Sequence, residues 1–139
     1  MTATDTPANL VPLGDTDRTV ADPAADVRGR PAFDRSGEDI GTVEDILVDD
    51  EEYRARFLQI GSGGFLGIGK DRFLVPVDAV ESVRPDRVQV DRDRARMTDA
   101  PGYDPEVTYG PSYYEDVYGW WGYGPYWGPG YVYPGYPQL

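Results

Sequence analysis

Between Val27 and Val90 every apolar run is short and is split from the next by glycine, aspartate or a cluster of charge. Runs of that length, bounded by turn residues, suit short strands joined by tight turns. Five strands are expected. The first covers Val27 to Phe33 and ends in a turn over Asp34 to Gly37. The second covers Ile40 to Val48; its apolar positions change face midway, which predicts a β-bulge near Val43 to Ile46. The third covers Tyr53 to Ile60, with Tyr53, Ala55 and Phe57 on one face and Arg54 and Arg56 on the other. Phe73 to Val77, extending into Val80, is the fourth and Arg87 to Val90 the fifth. Asp93 to Asp99 has room for one or two helical turns before Pro101. The expected fold class is all-β: a small curved barrel of about five to six strands with a short C-terminal helical turn and disordered termini.

Three segments follow from composition. Residues 1–25 hold four acids, one base, three prolines and few large apolar side chains, and read as a disordered acidic leader. Residues 26–100 are the barrel, small enough that oligomerisation would help its core, so a homo-oligomer is a reasonable expectation. Residues 101–139 hold 13 of the 18 aromatic residues with eight glycines and seven prolines. Prolines at 111, 125, 129, 134 and 137 are expected to break any regular helix there, leaving a low-complexity tail without a core of its own. Two readings of that tail stay open: multivalent self-association through its rings, or wrapping back onto the barrel with cation–π contacts to arginine.

The inventory excludes much chemistry. Cysteine and histidine are absent, which removes disulfides, thiolate nucleophiles, imidazole bases and Cys/His zinc sites. Leader, barrel and tail carry net charges of -3, -5 and -4, so no segment offers the positive stripe that nucleic acid or anionic lipid requires. No stretch approaches the length of a spanning helix and no basic region precedes an apolar run at the N-terminus, and a cytoplasmic location is expected.

Gly64 to Lys70 imitates a phosphate loop, but Asp71 stands where a hydroxyl should hold magnesium, and a strand follows instead of a helix. Asp49, Asp50, Glu51 and Glu52 are consecutive, so they cannot all converge on one cation; they read as a solvated hairpin tip. Asp91 to Arg96 alternates charge in the manner of a solvent-facing ladder of ion pairs. No catalytic, cofactor-binding or metal-binding residue is assigned. Candidate interaction residues are Phe65, Leu66 and Ile68 in the glycine-dense loop, where capping the core is the competing role. In the tail they are Tyr113, Tyr114, Trp120, Trp121 and Trp127.

The ordered set Gly29, Ala32, Asp34, Gly37, Ile40, Gly41, Val43, Asp45, Val48 and Asp49, then Phe57 to Ile60, then Leu74, Val75, Pro76 and Val80, resembles the PRC-barrel domain in its free-standing bacterial form. That family is named for the cytoplasmic part of the photosynthetic reaction centre H subunit. The resemblance covers residues 26–100 and implies a strongly curved barrel used as a docking or assembly surface, with no catalytic residues to carry over. The expected function is therefore a non-enzymatic protein-interaction module with a protein partner or a second copy of itself. A small-ligand or metal-ion barrel is the alternative.

Overall fold

The computed structural model describes residues 10–15, 26–49, 51–62 and 71–136. Among the described residues, seven strands form one sheet: β1 Leu10–Pro12, β2 Pro31–Phe33, β3 Asp39–Asp49, β4 Ala55–Gly61, β5 Arg72–Pro76, β6 Val80–Arg84 and β7 Arg87–Val90. The order is β5-β4-β3-β2-β7-β6, with β1 paired to β3 off this path. The two strands at the ends of that path, β5 and β6, are consecutive in the chain and joined only by the 3-10 turn Val77–Ala79. A connection so short brings the two ends of the sheet together, and the sheet must curl around its core to allow it.

All pairings are antiparallel except the short parallel contact of β2 with β7, in which Ala32 faces Val88 and Phe33 faces Gln89. β3 is the spine: β4 runs along one edge, while β2 and β1 divide the other between its two halves. The bulge expected near Val43 to Ile46 is present as a register shift between Val43 and Asp45, and a second lies between Leu47 and Val48. These bends let an eleven-residue strand follow the curve. At the Asp34 to Gly37 turn, the fully buried Asp34 carboxylate accepts from the N–H groups of Ser36, Glu38 and Arg94, each at 2.8 Å, tying the first turn to the segment after β7.

Gly41 shows how tightly the spine is set. Its φ is +134°, and a Cβ there would lie 2.3 Å from the Gly61 carbonyl oxygen on β4. Neither the dihedral nor the backbone atom can yield cheaply. Gly41→Ala is expected to destabilise the fold by about 2 to 3 kcal/mol, read as a lower urea midpoint at unchanged slope.

Several expectations need correction. Leu10–Pro12, placed in a disordered leader, pairs with Leu47 to Asp49, and the following Leu13 is buried. The run expected from Phe73 through Val77 to Val80 is broken by the 3-10 turn Val77–Ala79, so β6 is a strand of its own and the count among the described residues is seven. The helical segment before Pro101 is a 3-10 helix, Arg94–Asp99, close to where it was expected.

The tail departs most from its reading, because Pro111–Trp121 is an α-helix, α1. Pro111 opens the helix, where a missing N–H is harmless, and no further proline occurs before Pro125. Gly122 closes it at φ +85°: its N–H donates to Gly119 O and the Tyr123 N–H donates to Tyr118 O, the Schellman arrangement. Arg92 donates to the Trp121 carbonyl, placing a cation at the negative end of the helix. That part of the Asp91 to Arg96 ladder is therefore turned toward α1 as well as toward Asp91. Buried Tyr114, Val117, Tyr118 and Trp121 lie on one helical stripe facing the barrel. Among the described residues, no helix is long and apolar enough to cross a membrane.

Candidate functional site

β4 is buried over six consecutive residues, Ala55 to Ile60, as only a strand covered on both faces can be. The barrel interior covers one face and the tail covers much of the other. Phe57 packs against Tyr118 and Tyr114, with ring centroids 4.9 and 5.6 Å apart. The Tyr133 hydroxyl donates to the Ala55 carbonyl at 3.0 Å.

Arg56, only 3 % exposed, lies under the Tyr126 ring at 4.1 Å and near that of Tyr133 at 5.4 Å. Its charge is met by Asp49, 4 % exposed, through an Nε to Oδ2 bond of 2.8 Å. Asp49 also accepts from the Glu52 N–H at 2.5 Å and the Arg54 N–H at 3.3 Å. Burial pushes the Asp49 carboxyl up, but the Glu52 N–H and the Arg56 guanidinium pull harder and hold it below the ordinary carboxylate range. The expected solvated hairpin tip is corrected at this residue: Glu51 and Glu52 are exposed, Asp50 lies outside the described residues, and Asp49 is an interior anchor.

The tail also closes the free edge of β5. The Tyr103 N–H donates to the Arg72 carbonyl at 2.9 Å, Gly102 bridges Phe73, and the Trp121 indole N–H donates to the Leu74 carbonyl at 3.1 Å. An uncovered edge would invite another strand, so these bonds occupy the groups through which the sheet could extend.

Two further contacts hold the last stretch of the tail. Tyr131 donates to Asp78 Oδ2 at 2.9 Å, and Tyr123 donates to the Asp91 carboxylate. Burial raises the Asp78 carboxyl above its ordinary value, with the Tyr131 hydroxyl pulling the other way. Burial and the Asp91 carboxylate together push the Tyr123 phenol up to about 12. Neither phenol ionises near neutral pH, so both remain hydrogen-bond donors.

The interaction residues read from the sequence divide three ways. Phe65, Leu66 and Ile68, with the phosphate-loop imitation through Lys70, lie outside the described residues. Tyr114 and Trp121 are buried against the barrel, so they hold the tail in place and are not presented to a partner. Tyr113, Trp120 and Trp127 are half-buried, each supported by a ring beneath: Tyr113 stacks on Tyr109 at 3.8 Å, Trp120 meets Trp121 edge-on at 5.0 Å, and Trp127 meets Tyr118 edge-on at 6.0 Å. Of the two readings of the tail, residues 102–136 take the one in which it wraps onto the barrel.

Sequence reasoning missed Asp49 and Arg56 as interior polar groups and Asp78 as a half-buried one. Only the pairing of tail rings with barrel arginines pointed toward them. The tail helix had a plainer signal, since positions 114, 117, 118 and 121 have helical spacing.

No curated protein matches the chain. A family model for the PRC-barrel domain matches residues 21–97, the segment that forms strands β2 to β7, and ends before the helix that straps them. By that match over more than half its length, the chain belongs to the PRC-barrel domain family.

Proposed function

We propose that this protein is a non-catalytic interaction module that docks another protein, or a second copy of itself, on the outer surface of its aromatic strap. The barrel and strap together form the rigid support, and the low-complexity tail is part of that support instead of a free chain. PRC-barrel domains are a kind of interaction and assembly module, which supports the general reading. The observation that carries the specific one is the set Tyr113, Trp120 and Trp127, rings packed against neighbouring aromatics and still partly exposed. Rigid Trp and Tyr side chains in that state provide contact area with little entropy left to lose, and they dominate binding at measured interfaces.

Sedimentation across a concentration series tests the self-association form. The full chain is expected to sediment faster as concentration rises. Trp120→Ala and Trp127→Ala should weaken association at least tenfold, the effect of losing about 1.4 kcal/mol or more, while melting within a few degrees of the parent. Monomeric sedimentation at every concentration would refute self-association, and a heterologous partner would then have to retain the same sensitivity to Trp120. The other reading open from the sequence divides in two. Its metal-ion half gains no support among the described residues, where no group of three or more Asp or Glu could hold an ion. Its small-ligand half leads to a particular cavity.

A further inference from the structure

Tyr123 to Val132 folds over the turn Val77–Ala79 and leaves a cavity of about 410 Å³. Its lining includes Asp78, Tyr123, Pro125, Pro129, Tyr131 and Val132, with no arginine or lysine. Side-chain hydrogen-bonding capacity in this lining is one-sided. Each phenol has a single proton; Tyr131 gives its own to Asp78 and Tyr123 to Asp91, so both phenol oxygens keep only lone pairs to offer. The prolines have no N–H, and the Gly128 N–H is held by the Pro125 carbonyl.

Asp78 has unmet capacity as well. Its Oδ1 is enclosed and accepts no hydrogen bond, and among the described residues it forms no ion pair, since Arg56 is bound to Asp49 and Glu52. The cavity thus combines a carboxylate lacking a paired cation, two phenol acceptors and ring walls, in a chain of net charge -12 that draws cations toward it. An anionic ligand would meet like charge at Asp78, and a neutral donor would leave that charge without a counter-ion. An organic cation bearing N–H groups meets the charge of the Asp78 carboxylate, donates hydrogen bonds to the phenol oxygens and meets the ring faces through cation–π attraction.

We propose that this cavity binds a guanidinium or primary ammonium group, carried either by a small molecule or by an arginine or lysine side chain of a partner. The site stands whether or not the strap mediates assembly, because its ligand contacts Asp78, Tyr123 and Tyr131 and not the outer rings of Trp120 or Trp127.

Amide and indole NMR titrations of the full chain test it, using methylguanidinium, n-butylammonium, tetramethylammonium and the peptide acetyl-Gly-Arg-Gly-amide. Methylguanidinium or n-butylammonium is expected to give saturable shifts confined to Asp78 and Tyr123 to Val132. Tetramethylammonium, with the same charge and no N–H, should bind at least about threefold more weakly. Asp78→Asn should weaken binding about tenfold or more, and Tyr123→Phe, which keeps the ring and loses one acceptor, about threefold. If the peptide binds more tightly than methylguanidinium, the source is a partner's side chain; if it binds no better, the source is a free small cation. Absence of saturable shifts in the parent protein would overturn the proposal. So would tetramethylammonium binding equal to methylguanidinium, or unchanged affinity in both folded variants.

Discussion

Ending the chain after Tyr103 is expected to abolish cooperative folding, with loss of the near-ultraviolet circular dichroism signal and aggregation at concentrations where the full chain stays dispersed. From composition alone the opposite result follows, a barrel that folds without its tail. The difference lies in α1, which places Tyr114, Val117, Tyr118 and Trp121 in the same buried cluster as Phe57, Phe73 and Leu74. Truncating one buried aromatic side chain to alanine costs about 3 to 5 kcal/mol, and a small domain has only about 5 to 15 kcal/mol in total. Removing three such rings and a valine matches or exceeds that reserve. The deletion would also uncover the Leu74 carbonyl on the edge of β5, whose partner is the Trp121 indole, exposing a sticky strand alongside an apolar face. A single substitution, Trp121→Ala, isolates the packing part: it should lower the melting temperature by roughly 10 to 20 °C. A shortened chain that melts cooperatively at the temperature of the full one would show that the strap is dispensable.

The same helix marks the limit of what the sequence makes legible. Strands β2, β3, β4, β5 and β7 were readable because each carries its own run of apolar residues bounded by turn chemistry, as at Asp34 to Gly37. β6 escaped because Val80, Ser82 and Val83 are only partly buried at a sheet end, so their pattern is weak. β1 is three residues long and gains its place from β3, a partner far along the chain. In the tail, the density of glycine and proline hid a proline-free window with regular helical spacing. The roles of buried Asp49 and half-buried Asp78 depend on what covers them, and that cover comes from residues 126–133, more than 40 positions away. Local patterns cannot encode such a neighbour.

Asp49→Ala is expected to destabilise the protein by about 3 to 5 kcal/mol, the effect of leaving a buried charge without its partner. The variant strands Arg56 beneath the Tyr126 ring with only the exposed Glu52 as counter-ion, and it frees the N–H groups of Glu52 and Arg54. Arg56→Met should be milder, because Asp49 keeps its backbone donors and the methionine refills much of the space. The double change Asp49→Ala with Arg56→Met removes both charges together, and it should therefore lose less than the sum of the single changes, a coupling that a double-mutant cycle measures directly.

Acid provides an independent check on the same pair. The Asp49 carboxyl is depressed in the folded state, so its contribution is fully present above the unfolded carboxylate value of about 4 and is lost as pH falls through the lower folded value. Asp78 has the reverse sign: its carboxyl is raised, so its ionised form opposes folding above its folded value and acidification relieves it. Because both groups titrate in acid, the parent profile alone mixes the two effects. Subtracting the Asp49→Asn profile removes the Asp78 term, and the difference should be flat from neutrality down to about pH 4 and then shrink. A difference that stays constant into stronger acid would mean that Asp49 carries no ionised partner, and the buried pair could not be what fixes the β3 to β4 turn beneath the strap.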